Sequence, residues 1–131
     1  MAEVPPGLLY VEDHHWVATV GPGTVRMGVT DFAQESLGDV VAIELPTLGT
    51  ATTAGEAMGE IESTKSVNDL VAPVTGTVSA INETIPDQPE LVNTDPYRTA
   101  WLVEIAIDPA SLAAQLQSLL TAQDYERLTG Q

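Results

Sequence analysis

The sequence predicts a mainly β domain, a sandwich or barrel, closed by helices at its C-terminal end. Three observations carry that prediction. Short runs rich in β-branched residues recur through the first hundred positions, proline and glycine interrupt them every few residues, and beyond position 108 the apolar residues fall at helical spacing. The strand runs lie at 16–20, 24–29, 39–45, 57–62, 77–81 and 101–107. One short helix interrupts them: Thr30 reads as its N-cap, Asp31 to Leu37 as its turns, and Gly38 as a left-handed stop. Asp108-Pro109 is a helix-start pair, with the acid as cap and proline at the first helical position. Leu112, Leu116, Leu119 and Leu120 then make an apolar stripe, and Thr121 to Asp124 begin a second short helix running through Leu128. A faint repeat, Gly38-Asp39-Val40-Val41-Ala42-Ile43 against Gly76-Thr77-Val78-Ser79-Ala80-Ile81, agrees with two related β units facing each other.

With 131 residues and 44% hydrophobic content, the chain has material for one packed domain. Residues 1–131 are read as a single unit, its core at about 10–107 and its helical segment at about 109–128. Nineteen acids against four bases give a formal net charge of -15. Such a surface repels nucleic acid and anionic membranes and favours a monomer that meets basic patches on other proteins. No cysteine is present, which excludes disulfides, thiolate metal sites and a cysteine nucleophile. No signal-like or membrane-length apolar run occurs, so a cytoplasmic protein is expected. Adjacent His14 and His15 point to opposite faces of a strand and do not chelate one metal together. Neither a phosphate-binding glycine loop nor a nucleophile elbow is found.

The four bases include one lysine only, Lys65. It stands in Glu62-Ser63-Thr64-Lys65-Ser66-Val67-Asn68-Asp69-Leu70, between a strand that enters through Glu60 to Ser63 and one that leaves from Val67. Thr64 and Ser66 suit a tight turn, so Lys65 should project into water from a hairpin tip. A Schiff-base role needs a neutral amine in an apolar pocket, whereas Glu60, Glu62 and Asp69 are sequence neighbours that favour the ammonium. An unremarkable surface lysine and a target for enzymatic acylation both remain open on the residues alone.

The lysine segment resembles the lipoyl-attachment hairpin of the glycine cleavage H-protein family. Three further blocks in the same order share the resemblance. They are Tyr10-Val11-Glu12-Asp13-His14-His15-Trp16, the stretch from Gly28-Val29-Thr30-Asp31 through Leu37-Gly38-Asp39-Val40-Val41, and Pro89-Glu90-Leu91-Val92-Asn93-Thr94-Asp95-Pro96-Tyr97. The resemblance implies a barrel-sandwich hybrid fold and lipoate in amide linkage to Lys65. It implies a carrier rather than an enzyme. That carrier takes the aminomethyl group of glycine from the pyridoxal-phosphate glycine decarboxylase to the tetrahydrofolate-dependent aminomethyltransferase. Its reducing equivalents pass to dihydrolipoyl dehydrogenase, and a lipoate ligase or lipoyl transferase loads it.

The resemblance also implies contacts between the arm and a cleft at His15, Phe32 and Asp69. Asp69 matches the family's aspartate. His15 stands where the family often has glutamate, and Phe32 where some members have histidine. Alternative readings are an H-like protein acting as a lipoyl donor or relay, a biotinylated carrier, and an unmodified β interaction domain. Biotin hairpins usually flank their lysine with methionines, where this chain has Thr64 and Ser66.

Overall fold

A computed structural model describes residues 2–130. Among these residues, nine strands form two antiparallel sheets. In chain order the elements are β1 (Leu9–Val11), β2 (His15–Gly21), β3 (Thr24–Val29), α1 (Asp31–Leu37), β4 (Val40–Glu44), β5 (Ala51–Thr52), β6 (Ala57–Ser63), β7 (Val67–Val71), β8 (Gly76–Ile81), α2 (Leu91–Thr94), β9 (Val103–Ala106), α3 (Pro109–Gln117) and α4 (Ala122–Thr129). The larger sheet runs β1-β2-β3-β9-β8-β5, and the smaller runs β4-β6-β7. The two copies of the faint repeat supply β4 to one sheet and β8 to the other, with Val40 and Val78 both buried.

The main core joins the two sheets. Val17, Val25, Met27, Val29, Val78, Val103 and Ile105 come from the larger sheet, and Ile43, Ile61 and Leu70 from the smaller. Alternation makes this possible: β9 reads buried, half-buried, buried, exposed, as a strand with one face inward should. β2 departs from that pattern, since His15, Trp16 and Val17 are all buried. The reason is a second cluster on the outer face, where Tyr10, Trp16 and Tyr125 pack with Leu120 of the segment between α3 and α4. Tyr10 stacks on Tyr125 with ring centroids 4.8 Å apart.

Both C-terminal helices begin as their sequence indicates. Asp108 accepts from the Ala110 N–H with Pro109 in the first turn, and Thr121 with Asp124 forms a reciprocal capping box. Leu112, Leu116 and Leu119 pack on the main core, and Leu120 on the second cluster. Two expectations need correction. Gly38 ends α1 at φ 77°, ψ -159°, positive in φ but extended in ψ rather than left-handed helical. β9 starts at Val103 and not at Trp101, because the Asn82 amide donates to the carbonyls of Thr99 and Trp101 and holds that stretch as a loop. The short β5 and α2 had no periodicity to show themselves by.

The smaller sheet's register sets Glu44 opposite Glu60 and Glu60 opposite Asp69. Three carboxylates thus form one row across the strands, all on exposed residues. Like charges directly opposite destabilise a sheet. Glu60→Gln should therefore raise stability by about 0.5 kcal/mol at low ionic strength, with the gain fading in about 1 M salt. Thermal unfolding of the two proteins at both salt levels checks this.

Candidate functional site at the lysine hairpin

β6 and β7 meet in a turn built by Ser63 rather than by the residues that bracket the lysine. The buried Ser63 hydroxyl oxygen accepts from the backbone N–H groups of Lys65 and Ser66, each at 3.2 Å, and the Ser63 N–H donates to the Ser66 carbonyl at 2.8 Å. Thr64 instead ties the tip to the α1–β4 junction, its N–H donating to the Asp39 carbonyl at 3.0 Å. That junction is in turn clamped by Asn93 of α2. The Asn93 carbonyl oxygen accepts from the Val40 N–H, and its amide donates to the Gly38 carbonyl, both at 2.8 Å. The same amide donates to Gln34 of α1. Nothing in the composition of the Asn93 block announces this clamp.

Lys65 is exposed, and among the described residues its amine takes part in no ion pair or hydrogen bond. The carboxylates of Glu60, Glu62 and Asp69, close in sequence, do not hold it. The side chain lies along Gly38: a Cβ added there would sit 3.3 Å from Lys65 Cε. Gly38→Ala should cost about 1–3 kcal/mol through its positive φ alone, and it should also push the lysine stem aside. Thermal unfolding and the initial rate of enzymatic acylation of Lys65 measure the two effects.

Beside the hairpin lies a cleft of about 240 Å³. Asp13 and His14 of the turn before β2 and His15 at its start line it, with Val29, then Ala33, Ser36 and Leu37 of α1, and Ile61, Asn68, Asp69 and Val71 of the hairpin strands. Its walls are largely apolar, with a few polar groups converging, as in sites that hold a small organic group. His15 is 3% exposed and its Nδ1 has no hydrogen-bond partner. Burial lowers its pKa from 6.5 to about 4, assisted by its neighbour His14, so the ring is neutral at physiological pH. Asp69 is exposed at the cleft wall.

Phe32 lies elsewhere. It lines a separate groove with Glu12, His14, Leu128 and Thr129, and meets the cleft only through His14, whose ring centroid is 4.8 Å from its own. His15 and Asp69 are brought together, and Phe32 is not.

The expectation that His14 and His15 point to opposite faces of a strand is overturned: His14 lies in the turn before β2, and both residues line the cleft. The His14 φ of 66° is the one positive value among the described non-glycine residues. Its carbonyl accepts from the Thr30 N–H, and its Nδ1 shares a 2.8 Å hydrogen bond with the Tyr125 hydroxyl. Tyr125 is also 2.8 Å from the Thr30 hydroxyl, which accepts from Ala33 as the N-cap of α1. Burial lowers the His14 pKa against the opposing charge of Asp13. Thr30, Tyr125 and His14 thus form one continuous hydrogen-bonded chain, whose direction is set by the His14 tautomer. It fixes α1, α4 and the cleft entrance to one another. No group of three or more metal-ligating side chains occurs among the described residues, and no helix is long and apolar enough to cross a membrane.

The arrangement offers an accessible amine on a braced tip beside a small, mostly apolar cleft, which suits holding a tethered group. Comparisons with known proteins point the same way. The family model described as glycine cleavage H-protein matches residues 8–131. A glycine cleavage system H protein of Mycobacterium bovis (strain BCG / Pasteur 1173P2) is 49% identical over 130 residues, 99% of this chain and 97% of that protein. One from Mycolicibacterium vanbaalenii is 53% identical over 125 residues, 95% of each chain. A crystal structure of a glycine cleavage system H protein from Mycobacterium marinum superposes with a TM-score of 0.84 at 38% identity, covering 98% of this chain and 100% of that one. The two-sheet architecture with its helices is thus the barrel-sandwich fold of that neighbour. On the extent of these matches, the chain belongs to the glycine cleavage H-protein family.

Proposed function

We propose that the chain, acting as one carrier domain in the cytoplasm, bears lipoate in amide linkage on Lys65 and serves the glycine cleavage system. In this reading it carries the aminomethyl group of glycine from the decarboxylase to the aminomethyltransferase, and reducing equivalents to dihydrolipoyl dehydrogenase. A lipoate ligase or lipoyl transferase loads it. The observation that carries the reading is the chain's only lysine, exposed and unpaired at a braced hairpin tip beside a cleft. The residues fit the group. The amine is open to acylation, and the neighbouring cleft presents apolar walls with one buried histidine nitrogen that has no partner.

Bound lipoate supplies the disulfide that takes up the aminomethyl group and two electrons, sulfur chemistry that a chain without cysteine lacks. The protein's own residues position and protect. Ser63, Thr64 and Asn93 hold the tip at a fixed distance from α1. Val29, Ala33, Leu37 and Ile61 exclude water from a group lying in the cleft. Asp69 sets a negative charge at its wall for the ammonium of the cargo, and neutral His15 accepts a hydrogen bond without opposing that charge.

The mass of the Lys65 peptide from native protein tests the proposal. A lipoyl adduct is expected, and a native gel should show the charge moving one unit beyond -15 as the ammonium is lost. A biotin adduct would replace the cofactor assignment. An unmodified Lys65 after incubation with lipoate, ATP and ligase would reject the carrier reading.

A further inference from the structure

A second groove, of about 440 Å³, opens on the outer face of the larger sheet and shares no lining residue with the cleft. β2 separates the two, because successive side chains of a strand point to opposite faces: His15 lines the cleft and Trp16 the groove. The groove gathers two residue types that the chain uses sparingly. Both tryptophans, Trp16 and Trp101, line it, and so do two of the three arginines, Arg26 and Arg98.

Part of this is structural. The Trp16 indole donates to the Pro96 carbonyl at 2.9 Å and lies so close over Gly28 that an added Cβ would meet it at 2.7 Å. Arg26 stacks 4.5 Å over the Trp101 ring and bonds Glu104 at 2.6 Å. These contacts leave three features without a structural task. Arg98 is exposed and in no ion pair among the described residues, although acids outnumber bases nineteen to four. The Trp101 indole N–H has no hydrogen-bond partner among the described residues. Val20 is 43% exposed beside Ala18 on the groove floor.

We propose that this groove docks an extended segment of a partner protein in which a carboxylate stands next to an aromatic or aliphatic side chain. The apolar side chain rests on Ala18 and Val20 against the Trp101 ring, and the carboxylate takes Arg98 through its paired N–H donors. Charge complementarity selects this occupant: the chain is strongly acidic elsewhere, and here Arg98, the one arginine in no ion pair among the described residues, stands beside a stacked one and attracts an anion. Trp, Tyr and Arg are the residue types that dominate binding energy at interfaces. A partner held here leaves the Lys65 hairpin uncovered, so docking on this face and use of the tip are compatible.

Because both tryptophans line the groove, their indole N–H resonances report on it. The full chain is titrated with an N-acetylated Asp-Phe-Leu-Glu peptide and with a control carrying lysine at both acidic positions. The acidic peptide should shift the Trp101 signal saturably below millimolar concentration, and the lysine peptide should not. Arg98→Ala should weaken binding by about fivefold or more, and Arg98→Glu should reverse the preference. Lys65→Arg should bind as the parent does, which separates this proposal from the carrier assignment. Equal shifts with both peptides, no shift with either at millimolar concentration, or unchanged affinity in Arg98→Ala would overturn it.

Discussion

Lys65→Arg should reduce lipoylation and reconstituted glycine–bicarbonate exchange to background while changing stability by less than about 0.5 kcal/mol. The asymmetry follows from the surroundings of the side chain. Lys65 is exposed, its amine supports no ion pair among the described residues, and its stem lies along Gly38, a contact that arginine's methylenes reproduce. Folding therefore loses almost nothing. Chemistry loses everything, because a guanidinium keeps its proton at any working pH and offers no amine nitrogen for acylation. The chain contains no second lysine to take over. Intact mass after ligase treatment, the exchange assay and a melting curve give the three readouts. Exchange that survives the substitution would remove Lys65 from the mechanism, whatever the family relationship.

How much of this was readable in the sequence depends on the range of the interaction concerned. β6 announces itself by alternation from Glu60 to Ser63, and Lys65 by being the single lysine just beyond it, so the exposed tip follows from local pattern. The helix starts at Thr30, Asp108 and Thr121 are equally local, each needing only a cap three residues or fewer from its target. The bracing of the tip is not local. Asn93 reaches the Gly38–Val40 junction across more than fifty positions, and Tyr125 reaches His14 across 111. Such side chains look like ordinary loop and helix residues until the fold brings their partners near. Phe32 shows the opposite case. Its place in an aligned block suggested the cleft, but the turn of α1 points it into the neighbouring groove, with Ala33, Ser36 and Leu37 on the cleft side. The burial of both faces of β2 was hidden for the same reason, since residues distant in sequence, Pro96, Tyr97 and Tyr125 among them, cover Trp16.

His15 should make stability fall as pH drops from 6.5 to about 4, by roughly 3 kcal/mol in total and about 2 kcal/mol at pH 5. The sign follows from proton counts. In the unfolded chain the ring titrates near 6.5, whereas in the folded protein burial, with His14 adding to it, holds its pKa at about 4. Between those values the unfolded state binds the proton and the folded state does not, so acid favours unfolding. Above 6.5 neither state is protonated and below 4 both are, so the contribution is flat outside the window. Protonation of the many carboxylates acts in the other direction at its lower end by relieving self-repulsion. The comparison that isolates the ring is His15→Gln, which removes the titrating group but keeps a polar side chain. Chemical denaturation from pH 8 to 4 should show the parent losing stability relative to the variant across this window; parallel curves would mean that the ring is solvated and titrates normally. The same neutrality bears on the proposed role. An imidazolium at this position would repel an ammonium in the cleft, so burial keeps His15 compatible with a cationic cargo down to a pH of about 4.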